Sequence, residues 1–222
     1  MMELDFWHQR WNQDQIAFHL PVVNPYLTRY WPLFNAPPAS QVFIPLCGKS
    51  IDITWFASQQ YSVLGVECSD KAINEFFKEQ QLPSNLIQLK QFKQYNSENI
   101  KLLQGDFFKL TKDILADITI VYDRASLIAL PVSMRKEYVA LLGEMLPETA
   151  EMLLITLEYN QDLMSGPPFS VTQDEVSRLY EGFYKVELLH EADVLDVHQK
   201  FKERGLDYLQ ERVYRITRSE SR

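Results

Sequence analysis

From Gln41 onward, short apolar runs alternate with segments whose apolar residues repeat at helical spacing, a pattern that few folds accommodate. Strands that alternate with helices are typical of βαβ units and therefore of a mostly parallel sheet. The predicted strands are 42–44, 61–67, 100–103, 117–122, 152–157, 184–189 and 213–217. The last one alternates apolar and polar residues, which indicates an antiparallel edge. We therefore predict an α/β fold with a mostly parallel seven-stranded sheet, one antiparallel edge strand and helices on both faces.

Helix signals fall between these runs. The predicted helices are one capped by Asp52, one opened by Ser69 or Asp70, one over 135–146, and one that starts at a Thr172/Glu175 capping box. Ahead of the first strand, a proline-rich break over 32–38 sets off an aromatic-rich segment. The length of 222 residues suits one domain. We predict a single domain over 1–222, in which residues 1–40 form a helical arm that covers the active site.

Charge and cysteine content exclude several classes of function. The chain has 22 basic and 30 acidic residues, a net charge of -8, which is the wrong sign for nucleic acid or an anionic membrane. Cys47 and Cys68 are too few for a disulfide framework, and Cys47 has no neighbouring base that would make it a nucleophile. The histidines show no metal spacing. We predict a cytoplasmic protein without a metal.

In an open α/β sheet, ligands bind beyond the carboxyl ends of the strands. Glu67 ends the second strand about 21 positions after Leu46, the spacing at which a carboxylate accepts both hydroxyls of an adenosine ribose. The alternative is that Glu67 only caps the following helix. Asp106, after Gly105, can accept an adenine amine, although a Gly-Asp turn explains the pair equally well.

The sequence lacks the motifs that bind a diphosphate. Gly48-Lys49-Ser50 resembles the end of a phosphate-binding loop, but Phe43 stands where that loop requires a glycine. No two glycines lie two positions apart, so the dinucleotide fingerprint is absent as well. A ribose and an adenine without a diphosphate describe S-adenosylmethionine. Its sulfonium is a cation that aromatic rings of the arm can face.

Motifs along nearly the whole chain resemble the thiopurine S-methyltransferase family, especially its bacterial members. The motifs are Phe6-Trp7-His8-x-Arg10-Trp11, Phe18-His19, Asn24-Pro25, Val42-Phe43-Ile44-Pro45-Leu46-Cys47-Gly48-Lys49-Ser50, Gly65-Val66-Glu67, Tyr122-Asp123-Arg124-Ala125, Leu127-Ile128-Ala129-Leu130-Pro131, Leu157-Glu158-Tyr159 and Gly166-Pro167-Pro168-Phe169. The resemblance implies a Rossmann-like class I methyltransferase fold that uses S-adenosylmethionine. It implies S-methylation of thiopurines and related aromatic or heterocyclic thiols.

The resemblance also implies roles for individual residues. Cofactor contacts carry over to Trp11, Leu46, Glu67 and Arg124, with Trp7, Gly105 and Asp106 at further pocket positions, and Phe18 falls where the family stacks an aromatic ring on the substrate. Two positions depart from the family: Ala17 replaces a frequent glycine, and Lys200 falls where an arginine faces the substrate. Lysine cannot form the bidentate fork that arginine offers.

Methyl transfer from a sulfonium is an in-line displacement, for which positioning in a dry pocket supplies most of the gain. No catalytic base is required for a readily ionised aromatic thiol, and Arg124 or Lys200 would favour the thiolate. Arg124 can alternatively form an ion pair with Asp123 or another carboxylate. Two other functions stay open: methylation of selenium or tellurium compounds or small thiols, and a non-catalytic module that binds an adenosyl ligand. Without a heptad seam, the chain is expected to be a monomer.

Overall fold

The computed structural model describes residues 4–16 and 19–219. Within them the chain falls into two compact units. The N-terminal unit extends to Tyr122 and includes 145–147, and the C-terminal unit contains 123–144 and the chain from Glu148 onward. Ala17 and Phe18, both singled out in the sequence, lie outside the described residues. No helix within the described ranges combines the length and the apolar character that a bilayer-crossing segment needs.

The N-terminal unit is built on a sheet flanked by helices. Its helices are α1 Leu4–Asn12, α2 Pro25–Tyr30, α3 Asp52–Ser58 and α4 Asp70–Glu79. Its strands are β1 Gln41–Ile44, β2 Ser62–Glu67, β3 Asn85–Gln88, β4 Lys93–Ser97, β5 Ile100–Gln104 and β6 Ile118–Arg124, whose last two residues belong to the C-terminal unit. The strand order is β3-β4-β5-β2-β1-β6. The strands β5, β2, β1 and β6 are parallel, and β3 and β4 add an antiparallel hairpin.

Sequence explains the central strands and the helix that follows β2. The strands β1 and β2 are apolar along nearly their whole length because both faces of a parallel sheet are covered. Helix α4 begins after Ser69, whose hydroxyl accepts a hydrogen bond from the backbone N–H of Ala72 at 3.2 Å. Its apolar residues Ile73, Phe76 and Phe77 are buried on one face. The prediction of this helix and of its Ser69 cap is confirmed.

The C-terminal unit contains an antiparallel group of strands. Its helices are α5 Val132–Met145, α6 Gln173–Tyr180 and α7 Gln199–Glu203. Its strands are β7 Glu151–Glu158, β8 Tyr184–Asp193 and β9 Gln210–Arg218. The last residue of α5, Met145, already belongs to the N-terminal unit. The order is β7-β9-β8, and both pairings of β9 are antiparallel. The last strand is antiparallel as predicted, but it lies between β7 and β8, so the edge falls to β8. At the start of α6, the hydroxyl of Thr172 accepts from the N–H of Glu175 at 3.1 Å.

Asp52 does not cap α3, and that prediction is wrong. The residue before the helix is Ile51, which provides no side-chain cap. The buried carboxylate of Asp52 instead accepts hydrogen bonds from the backbone N–H of Asn24 at 2.9 Å and from the hydroxyl of Tyr122 at 3.0 Å. It therefore ties the start of α2 to α3 and β6, three elements that are far apart in the sequence.

Replacing Asp52 by Ala is expected to lower the free energy of unfolding by about 3 kcal/mol, because two buried donors lose their acceptor. Urea unfolding followed by circular dichroism measures this loss. The control Asp52→Asn keeps the side-chain shape and one acceptor oxygen, so its loss should be smaller. A loss under about 0.5 kcal/mol for Asp52→Ala would contradict this role.

Candidate functional site

Three loops that follow predicted parallel strands lie next to one another in the N-terminal unit. The strand order β5-β2-β1 places Gly105, Glu67 and Leu46 at the carboxyl ends of neighbouring parallel strands. The loops are joined by main-chain hydrogen bonds, from the N–H of Gly105 to the carbonyl of Glu67 and from the N–H of Cys47 to the carbonyl of Val66, both 2.9 Å long. This edge of the sheet is where α/β folds bind ligands.

Glu67 lies at the centre of this edge, with only 5% of its surface exposed. Its Oε2 accepts a hydrogen bond from the N–H of Gly48 at 2.9 Å, and its Oε1 accepts one from the N–H of Ser69 at 2.8 Å. The thiol of Cys68 donates to Oε1 at 3.2 Å. Burial raises the pKa of Glu67, and the hydrogen bonds from Ser69, Cys68 and Gly48 offset only part of that effect. The carboxylate is thus fixed in place, with lone pairs left for a ligand.

The loop after β1 adopts a conformation that costs energy. Leu46 has φ 45° and Gly48 has φ 54°, both in the left-handed region. A bulky residue such as Leu rarely occurs there, because its Cβ crowds the backbone. A Cβ at Gly65 would lie 2.8 Å from Cys47 Sγ, so glycine in β2 gives this loop the space it occupies. The result is a main chain that directs the N–H of Gly48 at Glu67. Strain of this kind concentrates at functional sites.

Gly105 and Asp106 form the neighbouring loop. Gly105 is needed here for space, since a Cβ would lie 2.5 Å from the ring of Phe92. One oxygen of Asp106, Oδ1, accepts from the N–H of Phe108 at 2.9 Å and caps a short 3-10 helix. Its Oδ2 has no hydrogen bond to any residue that the structure describes. The turn explains the Gly-Asp pair, and one oxygen is available besides.

The first helix of the arm lies beside the same edge. Helix α1 packs against α4, and Nε2 of His8 lies 3.2 Å from the carbonyl of Cys68, directly after Glu67. Trp11 is only 2% exposed and Trp7 is half-buried. Trp7 and Trp11 therefore belong to a helix that lies against the loop after β2, within the same unit as Glu67.

Arg124 belongs to the C-terminal unit, at the end of β6. It is half-buried and precedes Ala125, which has φ 65°. The alternative of an ion pair with Asp123 is not observed: the buried carboxylate of Asp123 accepts from the N–H of Leu127 at 3.1 Å and from the hydroxyl of Tyr138 at 2.7 Å. The structure records no ion pair between Arg124 and a described residue.

Lys200 and the Gly166–Phe169 loop also belong to the C-terminal unit. Lys200 is exposed on α7. The loop is held at its C-terminal end, because the hydroxyl of Tyr159 donates to the carbonyl of Pro168 at 2.5 Å and the N–H of Phe169 donates to the carbonyl of Ile128 at 2.7 Å.

The role of Lys49 was not predicted from its sequence context, the run Gly48-Lys49-Ser50 that resembles the end of a phosphate-binding loop. Lys49 is 8% exposed, and its Nζ donates to Glu75 at 2.9 Å and to Glu79 at 2.6 Å. Burial lowers the pKa of Lys49, but the hydrogen bonds to these glutamates outweigh it, so its pKa is raised. The signal in the sequence was the four-residue spacing of Lys71, Glu75 and Glu79 along one helix face.

Solved structures with a similar fold include methyltransferases. One, described as a SAM-dependent methyltransferase from Anabaena variabilis, has a TM-score of 0.63 at 19% identity and covers 97% of this chain and 95% of its own. Another is the Burkholderia thailandensis 1,6-didemethyltoxoflavin-N1-methyltransferase with bound 1,6-didemethyltoxoflavin and S-adenosylhomocysteine. It has a TM-score of 0.62 at 13% identity and covers 96% of this chain and 87% of its own. The predicted α/β methyltransferase fold is confirmed.

Sequence comparisons give the family. The family model described as Thiopurine S-methyltransferase (TPMT) matches residues 2–219. A thiopurine S-methyltransferase of Pseudomonas fluorescens is 46% identical over 217 residues, which are 98% of each chain. One of Azotobacter vinelandii is 47% identical over 98% of this chain and 100% of its own. With matches of this extent and identity, the chain belongs to the thiopurine S-methyltransferase family.

Proposed function

We propose that this chain transfers a methyl group from S-adenosylmethionine to the sulfur of thiopurines and related aromatic or heterocyclic thiols. The observation that carries the proposal is the carboxylate of Glu67, buried and fixed by two main-chain N–H groups at the carboxyl end of β2. Family membership adds the type of reaction.

The residues at this edge fit an adenosyl group. A carboxylate is an acceptor only, so the remaining lone pairs of Glu67 suit the two hydroxyl donors of a ribose. Oδ2 of Asp106 is a second acceptor, suited to an exocyclic amine. The left-handed turn at Leu46 brings main chain to this edge without a phosphate-binding glycine motif. We propose that Leu46, Glu67, Gly105 and Asp106 hold the nucleoside and that Trp7 and Trp11 provide aromatic surface near its sulfonium.

The cofactor, when bound, supplies a methyl group on a positively charged sulfur. We propose that the chain contributes position and electrostatics and no covalent step. The guanidinium of Arg124 and the ammonium of Lys200 would favour the thiolate form of the substrate. Phe18 would stack on the substrate ring. The aromatic arm would keep water away from the reacting atoms.

The remaining expectations concern organisation. We propose that residues 1–222 act as one methyltransferase domain, that residues 1–40 cover its active site, and that the protein is a cytoplasmic monomer. Its partner would be a small-molecule thiol. Sedimentation equilibrium with and without S-adenosylhomocysteine tests the monomer, and a dimer in both conditions would contradict it.

The function is tested by incubating the full chain with S-adenosylmethionine labelled in its methyl group. The acceptors are a thiopurine, a thiophenol, a small aliphatic thiol and a selenite reduction product. We expect labelled S-methyl product from the thiopurine and the thiophenol at the highest kcat/KM. Transfer to the selenium compound or the aliphatic thiol alone would favour the alternative substrates. Cofactor binding without transfer to any acceptor would favour a non-catalytic module.

A further inference from the structure

A chain of ion pairs crosses helix α4 on the side that faces the arm and the β1 loop. Nζ of Lys71 lies 2.6 Å from Oδ1 of Asp14 and 3.5 Å from Oε1 of Glu75. The other oxygen of Glu75 accepts from Nζ of Lys49 at 2.9 Å, and Lys49 also donates to Glu79 at 2.6 Å. Both oxygens of Glu75 are therefore used, one by each lysine.

One end of this chain holds the arm. Besides Asp14, Nζ of Lys71 donates to the carbonyl of Trp11 at 2.8 Å. This carbonyl lies in the last turn of α1, where main-chain acceptors lack partners within the helix and the helix dipole is negative. A cation at that point stabilises the helix end and fixes it to α4. Trp11 is one of the two tryptophans proposed to provide aromatic surface near the sulfonium of the cofactor.

The other end of the chain holds the loop after β1. Lys49 follows Gly48, whose N–H donates to Glu67. A buried ammonium requires anionic partners, because an unpaired charge away from water is costly. The two glutamates of α4 supply them, so the position of Gly48 depends on the same helix that holds the arm.

We propose that Lys71 and Lys49 are positioning residues of the cofactor site. Both lysines form an ion pair with Glu75. In this way they fix the distance between the end of α1 and the loop after β1, on either side of Glu67. The inference rests on the proposed function, because it assigns these lysines to the binding of an adenosyl cofactor. Neither lysine touches the reacting atoms.

The charge balance separates this role from that of ordinary surface charges. This chain of ion pairs contains two ammonium groups and three carboxylates. Removing Lys71 leaves Asp14 and Glu75 without the cation between them. Lys78 on the same helix provides the matched control, because it is exposed and has no ion pair with a described residue. Lys71 is the better test residue of the two lysines, since replacing the buried Lys49 also destabilises the fold.

The test measures the Kd of S-adenosylhomocysteine by isothermal titration with the full-length chain. We expect Lys71→Met to weaken binding about fivefold, Lys78→Met to leave it unchanged, and Lys71→Arg to restore it. In steady-state assays Lys71→Met should raise the KM for the cofactor and leave kcat near the wild-type value. Salt should weaken binding to the wild type, and this dependence should be smaller in Lys71→Met.

Glu75→Gln tests whether the two lysines act together. If both lysines act through the same chain of ion pairs, adding Lys71→Met to Glu75→Gln should lower the affinity for S-adenosylhomocysteine by less than Lys71→Met does alone. Fully additive losses, or an unchanged Kd and salt dependence in Lys71→Met, would overturn the inference. A wild-type chain that fails to bind S-adenosylhomocysteine would instead overturn the proposed function.

Discussion

Replacing Glu67 by Ala is expected to raise the Kd of S-adenosylhomocysteine at least about 100-fold. Two hydroxyl donors lose a charged acceptor, and each such hydrogen bond contributes about 1.5 to 3 kcal/mol. Glu67→Gln keeps one acceptor oxygen without the charge, so its affinity should lie between those of the wild type and the Ala variant. Burial raises the pKa of Glu67. As the pH is lowered, the affinity of the wild type for S-adenosylhomocysteine should therefore begin to fall at a higher pH than it would with an ordinary glutamate.

This experiment needs a control for lost stability, since Glu67→Ala also removes the acceptor of Gly48 and Ser69. Glu175→Gln provides it. Glu175 forms an ion pair with the buried Arg135 at 2.7 Å and contributes nothing to the proposed cofactor site. We expect this variant to be less stable and to bind S-adenosylhomocysteine normally. Equal losses of affinity in both variants would mean that Glu67 acts through stability alone.

The second large effect concerns Asp123, whose pKa burial raises to about 6 from 3.8. Between these two values the folded chain holds a proton that the unfolded chain has lost. The group therefore contributes stability below about pH 4, and this contribution is lost as the pH rises through about 6. The difference between the two pKa values corresponds to about 3 kcal/mol of the free energy of unfolding. Relative to the wild type, Asp123→Asn should gain about that much stability between pH 4 and pH 7.

Urea unfolding at pH 4, 5, 6 and 7 measures this difference. Asn can still accept from the N–H of Leu127, and its amide can donate to the hydroxyl oxygen of Tyr138, which reverses the direction of that hydrogen bond. Glu148→Gln, at an exposed position in the same unit, is the control for the loss of a carboxylate as such. Parallel stability curves for Asp123→Asn and the wild type would contradict a raised pKa.

Much of the fold could be predicted because its central strands are covered on both faces. Residues 42–44 and 63–66 are free of polar side chains, and such runs next to helical segments are typical of buried parallel strands. The hairpin of β3 and β4 was missed, since its residues are largely polar or exposed and show no clear alternation. Asp52 was misassigned because a side chain that joins distant elements resembles a helix cap in the sequence.

The family, the fold and the enzyme class were predicted from motifs and are confirmed. The roles of individual site residues stay predictions. The structure adds what spacing could not give: Glu67 is fixed by the N–H groups of Gly48 and Ser69, and the orientation of those groups depends on the left-handed turn at Leu46. The partner of Lys49 likewise depends on how α4 lies across the sheet.

A crystal structure of the full-length chain grown with S-adenosylhomocysteine tests the account most directly. We predict that both ribose hydroxyls lie within about 3 Å of the Glu67 carboxylate oxygens, with the adenine near Asp106. Electron density for the nucleoside at any other place, or side chains filling the edge between β2 and β5, would contradict the assignment of this site and the mechanism built on it.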